Sequence, residues 1–501
     1  MYLKQGLVAL LAFGPVSAAW AVPATEEGAA RLKGVFQTYF GGVEGVVTVT
    51  PKGETYDLAI DPAPLLAKIP GDSGLKAEIG ALTYHLTDNG DGSWGVTEDQ
   101  TMSWSFVIPG VMEQTGSAQV ESSGIWDESL PGFREQTTVM TDYTATSIQY
   151  LEPLPPVDGT VPETPAAPAI LSRDSQTNDR VEMVFTGKAG TAGGVDHGLD
   201  YKVEGIRQVM EYPDLRGMGP MNFEITSPGY DAVAKISGAR NDGILSLLAW
   251  FVAHPSEELI SGSQDGLRDK LSAAMPLWDD IELTMALRDL KVVSPFGEFG
   301  AATVTAEFGM SGLKADGRFR EMVNISGLTA PEAIIPPWAL PVMPQEISFD
   351  FTASDFDLAA PAKMIIEGFD LTAADPMEKV DPKAMQPAFF AGSPIALALA
   401  PSHIKGDGYE IGYQGAMQAS PDAPPNGSAK ITASGLDKIE AALNTAPPEQ
   451  GQQPLMMLQM AKMLGKAGAS GEMVWEIDAT DPNGAILVNG QQVAGGTPPQ
   501  Q

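Results

Sequence analysis

The stretch Ile347-Ser348-Phe349-Asp350-Phe351-Thr352 sets an apolar side chain at every second position and a polar one between. Successive side chains of a strand point to opposite faces, so this segment reads as a β-strand with one buried and one wetted side. The same period recurs outward from it. Tyr56, Leu58 and Ile60 share one strand face, as do Tyr409, Ile411 and Tyr413, and Met473, Trp475 and Ile477 alternate with Val474, Glu476 and Asp478. Such alternation marks half-buried antiparallel strands. Turn signals at Asp88-Asn89-Gly90, Asn483-Gly484 and Asn489-Gly490 separate the runs, and 54 Gly and 40 Pro punctuate the chain. The expected fold is β-rich (α+β), with long curved antiparallel sheets and a few covering amphipathic helices.

Helical periodicity breaks in at four places. Thr25 to Tyr39 has Glu26 and Glu27 at the helix-dipole-positive end and Leu32, Val35 and Phe36 on one face. Ile244 to Ala253 is short and apolar, opened by Asn241-Asp242 and closed by Pro255. Gln264 to Met275 places Leu267, Leu271 and Met275 at helical spacing. Pro454 to Leu464 has a Pro suited to a first turn and a Gly465 stop. A Phe-Asp-Leu echo at 356–358 and 369–371 suggests a strand and its return within a meander.

The expected organisation is a signal peptide at 1–21, then an N-terminal helix plus antiparallel β region at 22–152. A Pro-rich linker or loop at 153–168 leads to a second β-rich region at 169–493, with helices near 244–275 and 454–464. Residues 494–501 are expected to be a disordered tail. The signal rests on Lys4, the apolar run Gly6 to Val16 and an A-x-A site at Ala19-Trp20-Ala21. It predicts export to the periplasm with cleavage after Ala21, the alternative being an uncleaved tether to the inner membrane. No later segment is apolar for long enough to span a membrane.

The 501 residues contain no cysteine, which excludes disulfides, thiolate metal sites and cysteine nucleophiles. A formal charge of −34 repels phosphate backbones, so no nucleic-acid partner is expected. There is no G-x-S-x-G elbow, P-loop or H-E-x-x-H motif. His85, His197, His254 and His403 are scattered, so no metal site is expected. Gly90, Gly92 and Gly95 match G-x-G-x-x-G but lead to a strand, whereas a dinucleotide site needs a helix there. Asp88, Asn89 and Asp91 suggest calcium but miss the EF-hand spacing; they read as a surface turn, with weak calcium binding as the alternative. Asp279-Asp280 and Glu257-Glu258 are the visible acidic pairs, but strand neighbours face opposite ways and cannot form a glycosidase dyad by themselves. No catalytic residue and no cofactor are expected.

The candidate site is apolar. Residues 454 to 464 include Met456, Met457, Met460 and Met463, and 244 to 251 include Leu247, Leu248 and Trp250. One reading has both helices packing as lids, with Met filling gaps; the sharper one has sheet and helices enclosing a groove for an acyl chain or other apolar ligand. Lipid binding or transfer is the expected function. An envelope scaffold with a protein partner is the alternative, and a carbohydrate-active enzyme the third.

Several segments resemble an exported family of diderm bacteria defined by a domain of unknown function. They are Phe36-Gln37-Thr38-Tyr39-Phe40, Tyr56-Asp57-Leu58-Ala59-Ile60-Asp61, the Leu86 to Trp94 hairpin and Ile486-Leu487-Val488-Asn489-Gly490. The sheet-and-helix style is similar to AsmA-like envelope proteins. The resemblance implies a β-rich exported protein and assigns no functional residue.

Overall fold

The computed structural model describes residues 23–69, 74–151, 169–214, 217, 219–421, 423–481 and 484–495. The expected signal peptide, the whole Pro-rich segment 153–168 and most of the expected tail lie outside them. The chain divides into two compact units. The first takes the chain up to Trp278 with Val293–Pro295 and Ile366–Lys379, and the second takes Asp279–Val292, Phe296–Ile365 and everything from Val380.

The first unit opens with α1 (Glu26–Tyr39), whose Thr25 hydroxyl accepts the Gly28 amide at 3.0 Å as an N-cap. Gly28 is required because the Tyr56 hydroxyl sits where a Cβ would be; that hydroxyl accepts the Thr25 amide at 3.1 Å. The strands follow as β1 (Val47–Lys52), β2 (Thr55–Ile60), β3 (Lys76–Ile79), β4 (Leu82–Asp88) and β5 (Ser93–Ile108), with a short helix α2 (Ala63–Leu66) after β2. Then come β6 (Met112–Asp127), β7 (Gly132–Tyr150), β8 (Ile170–Ala189), β9 (Val195–Tyr212) and β10 (Met221–Ala239). All pair antiparallel, and from β5 each joins its sequence neighbour, with β3 and β4 sharing the free edge of β5. The six strands from β5 run 16 to 20 residues, about 50 to 65 Å at a strand's rise.

β7 and β8, which flank segment 153–168 in sequence, pair with each other, and the Leu151 amide donates to the Ala169 carbonyl at 2.8 Å. The boundary between units therefore falls at Trp278/Asp279 and not in the Pro-rich segment. Three helices close the unit: α3 (Asn241–Ala253), α4 (Glu257–Gly262) and α5 (Gln264–Ala274). The core gathers Leu32 of α1 with Tyr56, Leu58, Ile60, Tyr84, Trp94 and Val96, all nearly inaccessible. A second apolar cluster, with Met102, Val120, Met140, Val181 and Val203, crosses the long strands.

The second unit begins with β11 (Asp280–Ser294), β12 (Gly297–Ser311), β13 (Gly317–Ser326) and β14 (Pro344–Phe356). Two helices intervene, α6 (Ala359–Gly368), whose last residues from Ile366 are counted with the first unit, and α7 (Pro382–Phe390). Next are β15 (Ile395–Gly406), β16 (Tyr409–Ser420), β17 (Ala423–Ser434), α8 (Leu436–Thr445) and α9 (Pro448–Leu464). The unit ends with β18 (Lys466–Ala467), β19 (Met473–Asp478), β20 (Ile486–Val488) and β21 (Gln491–Ala494). From β12 to β17 the strands form an antiparallel meander, continued by β19, β20 and β21.

The fold is the β-rich α+β arrangement that the alternation indicates. Three expectations change in detail. The Phe-Asp-Leu echo flanks helix α6, because Asp357 Oδ1 accepts the Ala360 amide at 2.9 Å and starts a helix where a returning strand was expected. Helix α9 starts at Pro448, so Pro454 lies inside it; Pro448 already supplies the fixed φ that suits a first turn. The last strand reaches Ala494, one residue into the expected tail.

Candidate functional site

The sequence-derived site residues fall in both units. Leu247 and Trp250 of α3 pack with Leu267 of α5 and with Phe369 and Leu371, forming a small core. Trp250 is 9% exposed and stacks on His254 with ring centroids 4.0 Å apart. Leu248 turns outward. A cleft of about 430 Å³ lies beside this core, lined by Tyr39, Leu245, Ala249, Trp250, Asp242 and Lys270. Asp242 and Lys270 bring charge to its mainly apolar lining, and it is open to solvent. These residues hold helices together, and only Trp250 belongs to both core and cleft.

The methionines of α9, in the second unit, face solvent. Met456, Met457, Met460 and Met463 are 59%, 58%, 51% and 75% exposed. The opposite side of the helix, Leu458, Ala461 and Leu464, packs on Trp475 with Ile439 of α8. Trp475 Nε1 donates to Ala461 carbonyl at 2.7 Å, which fixes the rotation of the helix. Lys462 reaches Asp437 and Glu440 of α8. The four methionines of α9 therefore fill no gap in this core, whereas Met473 of β19 packs against it.

The covered end of the second-unit sheet leads to a larger feature. Directly opposed residues of an antiparallel pair lie on one face, so the registers define which side chains adjoin. Val304, Ala306, Phe308 and Met310 of β12 oppose Ile325, Val323, Glu321 and Phe319 of β13. These in turn oppose Ile347, Phe349, Phe351 and Ala353 of β14. Leu397, Leu399 and Ile404 of β15 continue the row, opposite Met417, Gly415 and Ile411 of β16. Ala429, Ile431 and Ala433 of β17 then meet Ile477, Trp475 and Met473 of β19.

One face of this sheet is thus apolar across seven strands. Helices α8 and α9 cover only its end, where the buried cluster involves Ile411, Ile431, Ala433 and Trp475. Across β12, β13 and β14 the rings of Phe308, Phe319, Phe351 and Phe349 form a ladder with centroids 5.6, 6.4 and 6.4 Å apart. None of these four rings is fully buried, and no cluster of buried side chains forms around them among the described residues.

The other face is polar and satisfied. Arg320 bonds Glu307 at 2.8 Å and Asp350 at 3.0 Å, and Lys405 bonds Glu346 at 3.3 Å. At β15 a bulge around Pro401 is stitched by Ser402, whose hydroxyl accepts the Asp350 amide at 3.2 Å and donates to Ala400 carbonyl at 2.8 Å. The ladder lacks a donor at Pro401, and the serine supplies the missing contact.

The other sequence candidates are placed as follows. Asp280 is held by Lys314 at 3.2 Å and Arg318 at 3.4 Å, and Glu257 and Glu258 occupy the first turn of α4. The Asp88 to Asp91 turn is closed on itself, with Asp91 accepting the Ser93 amide at 2.9 Å. Three histidines hydrogen-bond separate partners, His85 with Asp57, His197 with Asn241 and His254 with the Trp250 carbonyl, and His403 lies 3.8 Å from Glu346. Among the described residues no three acidic or histidine side chains converge as a metal-binding group. No described helix is long and apolar enough to cross a membrane.

By its own strands and helices the chain is a β-rich α+β protein with extended antiparallel meanders. No protein-family model matches the chain, and no curated protein or solved structure is significantly similar to it. The open apolar face was partly visible in sequence, since Ile347, Phe349 and Phe351 alternate. That seven strands align such positions depends on register, which local periodicity does not encode.

Proposed function

We propose that this protein is an exported envelope protein that binds a lipid or other apolar ligand on the open sheet face of its second unit. The observation that supports this reading is the partly buried phenylalanine ladder of β12, β13 and β14, continuous with a covered apolar end. Contiguous apolar surface of this kind marks a binding site more often than a solvated face. Ligands would lie across the strands and gain burial at roughly 25 cal/mol per Å² of apolar area removed from water. Export is the compartment indicated by Lys4, the Gly6 to Val16 run and Ala21.

Native mass spectrometry of protein purified without detergent tests the reading. The expected result is a retained apolar mass, or stoichiometric uptake of an added twelve-carbon maltoside. A bare protein that takes up no added chain overturns it.

The exposed methionines of α9 favour a second reading, in which that helix docks another envelope protein through an adaptable surface. Crosslinking that yields adducts centred on α9 supports it, and repeated crosslinking without a partner counts against it.

A further inference from the structure

One charged side chain stands on the apolar face. Glu321 lies opposite Phe308 on one side and Phe351 on the other, with Phe319 and Val323 at the flanking same-face positions of its own strand. Every other position on this face from β12 to β19 named above is uncharged. Glu321 is exposed and has no ion pair or side-chain hydrogen bond among the described residues. Its neighbours in sequence and across strands behave differently. Arg320, Glu307, Asp350 and Glu346 all lie on the opposite face and are paired there.

We propose that the apolar face takes amphiphiles with a cationic head, an ammonium-bearing lipid or detergent, and that Glu321 anchors the head. This deepens the apolar-ligand reading and rests on it. An uncompensated carboxylate on a surface that is to be covered by hydrocarbon would be costly to bury, and an opposite charge delivered by the ligand removes that cost. The surrounding rings add to the selection. Directly opposed residues stand with Cβ atoms about 4.5 to 5.5 Å apart, so a cation at the carboxylate also meets phenylalanine faces within cation–π range. An anionic head is repelled by the same group. A neutral sugar head gains neither term.

The test compares three ligands with the same twelve-carbon chain below their micelle concentrations, with trimethylammonium, maltoside or sulfate heads. Isothermal titration against the full chain should rank trimethylammonium tightest and sulfate weakest. Glu321→Gln should weaken the trimethylammonium ligand about five- to tenfold and leave the maltoside unchanged. Glu410→Gln removes the same charge from the opposite face of β16 and should change neither. Circular dichroism and the thermal midpoint of Glu321→Gln should match the native chain, since the side chain is exposed. The wild-type ranking supports the inference only together with the contrast between Glu321→Gln and Glu410→Gln, because the chain's charge of −34 attracts any cationic head.

Equal binding of all three heads overturns the inference. So does an undiminished trimethylammonium affinity in Glu321→Gln, which would leave the glutamate as a charge that guards an open sheet against aggregation. An equal loss in Glu410→Gln also overturns it, by showing general attraction to an acidic surface. In each of these cases binding of the maltoside leaves the apolar-ligand reading standing. If no head group binds, that reading falls and the inference with it.

Discussion

Glu98 is a carboxyl at 3% exposure, set on the inner side of β5 in line with Trp94 and Val96. Burial pushes its pKa up to about 7, against the opposing hydrogen bonds from Gln100 and Ser122. Tyr84, also buried, is raised as well, first by burial and then by the Glu98 charge. An unfolded glutamate titrates near 4.5, so the folded state holds its proton more tightly. The stability from this group is complete below pH 4.5 and is lost as pH rises through about 7, a change of roughly 3 kcal/mol. The thermal midpoint of the transition that reports the first unit should therefore fall between pH 5 and pH 8. Glu98→Gln should remove most of that slope, and an unchanged slope would contradict this account of the group. In sequence Glu98 reads as an ordinary surface acid. The period places it with Trp94 and Val96, but only the packing of the long strands shows that no water reaches it.

At the scale of elements, α9 shows how docking selects one face of a helix that is apolar nearly all round. Eight of the ten side chains from Leu455 to Leu464 are apolar, so periodicity alone cannot choose the inner face. Trp475 chooses it, by burying Leu458, Ala461 and Leu464 and donating to the Ala461 carbonyl. Replacing Met456, Met460 and Met463 with Gln should each cost less than about 0.5 kcal/mol, the range of surface changes. Leu458→Ala should cost about 1 to 3 kcal/mol through lost burial and a residual cavity. Urea unfolding of the four variants checks this, and a larger loss from the methionines than from Leu458 would contradict the assigned rotation. The helix itself was legible from Pro454 to Gly465. Its first turns were not, because Glu449 to Gln453 are polar and lack an apolar period.

Over the whole molecule, alternation of apolar and polar residues identified the fold class, since each strand has its own period of two. The division of the chain at Trp278 was not legible, because the strongest compositional break, the Pro-rich segment at 153–168, joins strands that pair with each other. Composition marks where a chain leaves regular structure but not whether it returns to the same sheet. The open face of the second unit escaped for a related reason. Its apolar positions come from strands as far apart as Val304 and Ile477, and only the chain of registers puts them side by side. With a charge of −34 spread over the chain, that uncharged surface with its one carboxylate differs chemically from the rest of the molecule.

The central claim is that this face binds hydrocarbon. A twelve-carbon ligand with a diazirine in its chain, irradiated with the full-length protein and mapped by peptide mass spectrometry, tests it most directly. Adducts should concentrate on 304–310, 319–325, 347–353 and 397–399, and Phe349→Asp with Phe351→Asp should abolish them while Glu410→Gln does not. Adducts confined to α9 or to the first unit, or none above the level of an unrelated acidic protein, would contradict the account.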